Sequence, residues 1–169
     1  MLYVKRRKIF VAAVALPVWA AFSSLSFASS LAVEREIPSS KSLQSDIANA
    51  LKTAKPLVVL ASLDHCQFCK IARENYLLPL MREQAIPVVQ INFGYSTPIV
   101  DALGKRTTQA ELIASLQIKT APTILFLGKN GQELSPRLVG GTTSDFYGAY
   151  LDERLRTAQT AMSHPSGLK

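Results

Sequence analysis

Cysteine is almost missing from this chain: 169 residues contain two, Cys66 and Cys69. With two residues between them they make a poor structural staple, because the loop-closure entropy a disulfide removes from the unfolded chain grows with loop length. A structural zinc site usually needs four ligands. There is no second C-x-x-C, and the remaining candidates are Asp64, His65 and the distant His164. A c-type haem site wants histidine directly after the second cysteine, and Lys70 stands there. The chain also lacks an internal repeat, a low-complexity segment and a basic stripe; its Lys and Arg residues beyond the first eight positions are scattered, which argues against a nucleic-acid partner.

Acidic residues are absent from positions 1–28, while Lys5, Arg6, Arg7 and Lys8 form a cluster there. An apolar run over 9–22 follows, then small residues at Ser26 and Ala28. That order is the layout of a secretory signal with cleavage after Ala28. The run is shorter than the roughly 18–20 residues of a membrane-spanning helix, and Pro17 interrupts it; an uncleaved anchor is the alternative. The whole chain carries +7, of which the basic cluster supplies four charges, so the remainder is near +3. The expected product is one periplasmic or otherwise extracytoplasmic domain, a monomer, in a compartment where cysteines are usually oxidised.

Positions 29–41 are polar, Ser-rich and carry Pro38, as in a linker or arm. Leu43, Ile47, Ala50 and Leu51 recur at helical spacing until Lys55-Pro56. The run 57–63, LVVLASL, is apolar without alternation, the pattern of a strand buried on both faces. Ile71, Ala72, Tyr76 and Leu77 mark a helix that Pro79 should end or kink near Leu78, with a restart through Met81 to Gln84. A second strand is expected over 86–93 and a long loop over 94–107. Thr108 with Glu111 signals a capping box opening a short helix through Leu112, Ile113 and Leu116. The stretch 122–140 reads as a hairpin turning at Asn130-Gly131 and broken at Gly140-Gly141. Thr143 or Ser144 should cap a last helix with the stripe Tyr147, Leu151, Leu155 and Ala158. The domain is thus expected over 42–158, with a flexible tail over 159–169. Its architecture is an α/β three-layer sandwich: a mixed central sheet of about four strands, flanked by helices.

The cysteines fall where the first strand meets the next helix, and C-x-x-C beside a β-α-β pattern reads as a redox motif. Unpaired N–H groups and the helix dipole favour negative charge at a helix start, and the thiolate is the reactive form. Cys66 is therefore the expected nucleophile. Cys69, one turn on, is the thiol that resolves the mixed disulfide. The spacing serves reduction or oxidation. His65 and Lys70 flank the pair and can stabilise the thiolate by charge, or be an exposed loop histidine and a solvated lysine. Two thiolates with His65 can also hold copper(I), so a metallochaperone is the competing reading; inert buried thiols are a further alternative. The redox reading needs no bound cofactor, since the dithiol carries the electrons.

From about 42 to 156 the chain resembles thioredoxin-fold proteins, through LVVLASL, Cys66-Gln67-Phe68-Cys69-Lys70, TAPTILFLGKNGQEL, and Gly140 with the final helix at the expected distance. The resemblance implies a thioredoxin-like fold and a cis Pro122 beside the cysteines. It also implies a substrate rim formed by Ala121, Pro122, Gly140, Gln67 and Phe68, with Ala121 offering backbone groups to an extended segment. The partners it implies are protein thiols and disulfides, together with a membrane or periplasmic redox protein. Several residues depart from that family. His65 replaces the tryptophan before the first cysteine, and Gln67-Phe68 replaces Gly-Pro. Leu60 and Gln90 stand where many members carry a buried aspartate and a lysine. These departures favour a specialised exported relative, similar to periplasmic thioredoxin-like proteins of cytochrome maturation, sulfur oxidation or disulfide repair.

Overall fold

Residues 36–141 and 146–164 are described by the computed structural model. Ser42 opens the first helix, α1 (Leu43–Lys52), its side chain accepting the Ser45 N–H. Strand β1 (Leu57–Ser62) follows, buried along its whole length. Its alternate residues serve two cores. Val58 and Leu60 join Ala72, Leu77, Phe126, Tyr147 and Leu151 on one face, while Leu57, Val59 and Ala61 join Leu43, Ile47, Leu112 and Ile113 on the other. A strand covered twice has no polar face to show, which is why its sequence does not alternate.

The central sheet has the order β2-β1-β5-β6, with β2 (Val88–Asn92), β5 (Thr123–Leu127) and β6 (Leu138–Val139). β1 pairs in parallel with β2 and antiparallel with β5. The expected mixed four-stranded sandwich is what the chain forms. One layer holds α1 and α4 (Gln109–Ser115), the latter opened by the Thr108–Glu111 capping box. The other holds α2 (Gln67–Ile71), α3 (Leu78–Glu83) and α5 (Tyr147–Ser163). The predicted stripe Tyr147, Leu151, Leu155 and Ala158 is buried. The cap expected at Thr143 or Ser144 lies outside the described residues, as do the signal and the first part of the arm.

Pro79 acts before its own position. Between α2 and α3 the chain forms a π-helical segment, Ala72–Leu77, and the Leu78 N–H bonds to Arg73 O, five residues back. Proline lacks an N–H and its ring crowds the carbonyl four residues earlier; widening the preceding turn relieves that crowding, and the helix continues.

Four segments differ from the sequence expectation. The 94–107 loop contains a small antiparallel sheet, β3 (Pro98–Val100) with β4 (Arg106–Thr108). Its turn is tied by Asp101, whose Oδ1 accepts the N–H groups of Leu103 and Lys105. The end of the arm packs onto the domain. Ile37 is buried, Pro38 and Ser40 exchange backbone bonds with Gln90, and Val100 N–H reaches Lys41 O, so these residues bridge the two sheets. At the other end α5 runs to Ser163, beyond the boundary placed at 158, with Ala161 and Met162 packed on the core. The turn at Asn130-Gly131 forms with both residues at positive φ. The returning strand is broken, however: Glu133 bridges to Leu127, and pairing resumes only at Leu138 because Pro136 has no N–H to offer.

Candidate active site

Cys66 ends the β1–α2 connection as the N-cap of α2. Its backbone is extended, and its Sγ accepts the Cys69 N–H at 3.1 Å. The preceding residue, His65, has φ +56°, the left-handed region, and this reversal lets the chain leave β1 and begin a helix at once. Cys66 is half-buried and Cys69, one turn on, is only 1% exposed. Both stand as free thiols. His65, Gln67, Phe68 and Lys70 are exposed around them. Cys66, His65, Gln67 and Lys70 line a shallow cavity of about 420 Å³ that Arg73 and Glu74 help to close.

Because β5 runs antiparallel to β1 with Ala61 opposite Thr123, the residues before β5 arrive at the end of the sheet where Cys66 begins its helix. Those residues are Ala121, half-buried, and Pro122, buried, joined by a cis peptide bond. Gly140 N–H donates to Pro122 O at 2.8 Å. Gly140 has φ +60° with open space where a Cβ would stand, so it holds a turn that other residues adopt at a cost. Val139, paired with Thr123, brings an exposed apolar side chain to the same end, and Leu63 and Phe68 are about half exposed at 49% and 48%.

The thiols differ. Burial, followed by the hydrogen bond from Cys66 and its charge, pushes Cys69 up from 9.0 to about 11. Hydrogen bonds from the Leu63 backbone and the Ser62 side chain pull the other way. When Cys66 is tied up in a mixed disulfide it loses its charge and its bond to Cys69, so two of the raising causes disappear. The Cys69 midpoint should therefore fall below that of the free dithiol. Titrating thiolate absorbance before and after capping Cys66 with a small disulfide checks this; an unchanged or higher midpoint would show that Cys66 does not oppose ionisation of its neighbour.

Sequence reasoning missed three neighbours of this site. Leu60 is fully buried and pairs with Gln90, the two positions where an acid and a base were absent. Beside them, Arg73 donates from Nη2 to Ser62 Oγ at 3.0 Å and from Nε to Gln90 Oε1 at 3.2 Å. No local pattern announces this cluster, since its members come from β1, the π segment and β2. The third neighbour is Tyr95, which follows β2 and donates from its hydroxyl to Asp64 Oδ2 at 2.7 Å. This bond holds the 94–107 insertion against the loop that carries Cys66. The carboxylate raises the Tyr95 pKa by accepting that proton.

Among the described residues, no three His, Cys, Asp or Glu side chains converge as a metal site would require. The copper(I) reading needed His65 to join the two thiols, and it does not; His164 lines a different hollow beside α5. A profile described as "Thioredoxin-like domain" matches residues 43–155, most of the chain. The chain belongs to the thioredoxin-like family. Within this thioredoxin-like domain, the buried sheet and the closely spaced cysteines form the arrangement of a thiol–disulfide oxidoreductase in general terms, with the thiols themselves as the redox group. Solved structures similar to it include thioredoxin O2 from Arabidopsis thaliana in the oxidised state, 16% identical over 72% of this chain and 93% of that one (TM-score 0.49). Trxlp from Edwardsiella tarda is 23% identical over 70% and 95% (TM-score 0.47). A thioredoxin-fold protein from Helicobacter pylori is 16% identical over 79% and 96% (TM-score 0.47). No curated protein sequence matches the chain. No helix among the described residues is long and apolar enough to cross a membrane.

Proposed function

We propose that this protein is an exported thiol–disulfide oxidoreductase that exchanges disulfides with protein substrates through Cys66 and Cys69. The observation that carries the reading is the asymmetry of the pair. Cys66 is half-buried at the helix start, its sulfur accepting a backbone N–H, while Cys69 is buried one turn below. The accessible sulfur attacks the substrate disulfide, and the buried one displaces the product from the mixed disulfide. Ala121, Pro122 and Gly140 form the rim against which an extended substrate segment lies, with Gln67 and Phe68 on the opposite side. The exposed Leu63, Phe68 and Val139 suit apolar residues flanking a substrate cysteine. His65 and Lys70 add positive charge near the reacting sulfur.

Reductase is the direction we favour. Burial and Cys66 outweigh the Leu63 and Ser62 hydrogen bonds, so Cys69 resists ionisation and the reduced pair gains little from a thiolate on that side, which makes the dithiol a readier electron donor. The basic, apolar, small-residue order of positions 1–28 supports a periplasmic or other extracytoplasmic setting, and a second redox protein must return the pair to its reduced state. Cys69→Ser decides the mechanism. It is expected to accumulate mixed disulfides through Cys66 that survive denaturation and dissolve on reduction, seen as shifted bands on non-reducing gels. A Cys69→Ser protein that traps nothing while wild type still reduces insulin would overturn the two-thiol mechanism.

A further inference from the structure

Cys66 borders a second surface besides the rim. The hollow of about 420 Å³ has Cys66, Asp64, Lys70, Arg73 and Glu74 in its wall, and neither Ala121, Pro122 nor Gly140 lines it. Its volume falls within the roughly 300–1,000 Å³ of small-ligand sites. The rim side offers the exposed apolar groups of Phe68 and Val139, whereas the hollow carries charges of both signs. Among the described residues Lys70, Arg73 and Glu74 nevertheless enter no ion pair; the pairs that form, Arg137–Glu133 and Arg154–Glu153, lie elsewhere.

Two hydrogen-bonded arrangements keep these charges open to a ligand. Tyr95 donates to Asp64 Oδ2 at 2.7 Å, so this carboxylate is engaged by the insertion and not by a cation of the hollow. Arg73 donates from Nε to Gln90 Oε1 at 3.2 Å and from Nη2 to Ser62 Oγ at 3.0 Å. Both acceptors are neutral, so the positive charge stays uncompensated. A guanidinium has five N–H donors, and Nη1 makes no bond among the described residues. The guanidinium is therefore fixed in place before a ligand arrives, which lowers the ordering cost of binding.

We infer that this hollow binds a small disulfide with free carboxylate and ammonium ends, the amino-acid disulfide class, and presents its sulfur to Cys66. The inference rests on the oxidoreductase reading and adds a second substrate class to it. The ligand's carboxylates meet Lys70 and Arg73, and its ammonium meets Glu74. A neutral disulfide gains none of these contacts, and a protein segment lies along the rim instead. The Cys66 thiolate attacks one ligand sulfur; the new bond to Cys66 forms as the ligand's S–S bond breaks and the first small thiol leaves. Cys69 then displaces the second, forming the Cys66–Cys69 disulfide. The protein pair loses two electrons, the ligand gains them, and the two protons of the dithiol end on the two small thiols.

The test follows oxidation of the reduced full-length protein, quenched with an alkylating reagent, by glutathione disulfide and by neutral hydroxyethyl disulfide. Leaving-group basicity differs between the two, so their rate ratio is divided by the same ratio measured with dithiothreitol. Wild type is expected to give a normalised ratio of at least about five. One exposed ion pair is worth roughly two- to fivefold, and Lys70→Met or Arg73→Met should lower the ratio by that much. A substitution that only removes thiolate slows both disulfides alike and leaves the ratio unmoved. Glu74→Gln separates binding from the general field. It removes a negative charge, which by field alone speeds any anion; a lost ammonium contact instead slows glutathione disulfide about twofold relative to dithiodipropionate, which has carboxylates and no ammonium. A wild-type ratio near one overturns the inference, as does a ratio unmoved by Lys70→Met or a Glu74→Gln protein that treats both anions alike. If Arg73→Met does not fold, the exposed Lys70 and Glu74 decide. Failure of the oxidoreductase reading looks different: wild type then reacts with none of these disulfides.

Discussion

Cys66→Ser will bring insulin-disulfide reduction down to the uncatalysed background, a loss of at least about a thousand-fold, while leaving the fold in place. The two halves of this outcome have separate causes. A serine hydroxyl does not ionise near neutral pH and cannot form a disulfide, so both the attack and the redox cycle end. Serine is, however, among the preferred N-cap residues. At position 66 its oxygen can accept the Cys69 N–H that sulfur now accepts, so the start of α2 keeps its cap. The unfolding free energy should change by less than about 1 kcal/mol. Activity followed by insulin turbidity, with a denaturant melt on the same protein, checks both halves. Near-wild-type turnover in the variant would remove Cys66 from the mechanism, and an unfolded variant would mean that the cap needs sulfur.

Phe126→Ala should be the most destabilising single truncation in the sheet. Phe126 lies in β5, opposite Val58 of β1, fully buried in the core shared with Leu60, Leu77, Tyr147 and Leu151. Emptying a site of that size costs about 3–5 kcal/mol, from lost apolar transfer and from the cavity left behind. At about 4 °C per kcal/mol for a domain of this size, the thermal midpoint should drop by roughly 12–20 °C. The same core packs beneath α2 and carries Tyr147, whose ring meets Tyr76 tilted at 59° with centroids 4.9 Å apart. Loosening it should therefore speed reaction of the buried Cys69 with an alkylating reagent. A drop of under about 1 kcal/mol in a urea melt would mean that neighbouring side chains refill the site.

Much of this arrangement is written locally. The unbroken apolar run of β1 reads as a twice-covered strand because every residue in it has a core neighbour. Thr108 and Glu111 cap α4 reciprocally because both partners lie within one turn. Pro79 announces its disturbance by lacking an N–H, although the form it takes, a π segment in place of a break, depends on the packing of Ala72 and Leu77 against the core. The β3–β4 pair was hidden by its brevity. Three-residue strands hold too few side chains for a period to show, and this pair is supported by the Asp101 turn and by the arm, whose Lys41 carbonyl meets Val100.

The thiol pair and its place at a helix start are matters of spacing and residue type, while the proline beside it is legible in the sequence only through the resemblance to thioredoxin-fold proteins. Position 60, where an acid is absent, is legible in the same way. Which side chains gather beside that position is decided only by tertiary structure. Arg73 meets Ser62 and Gln90 because the parallel pairing of β1 and β2 sets Leu60 beside Gln90, and because the π segment carries the arginine over that edge. Sequence periodicity describes one element at a time. Arg73, Ser62 and Gln90 come from three elements, so their juxtaposition exists only once the sheet is paired and the helix is packed upon it.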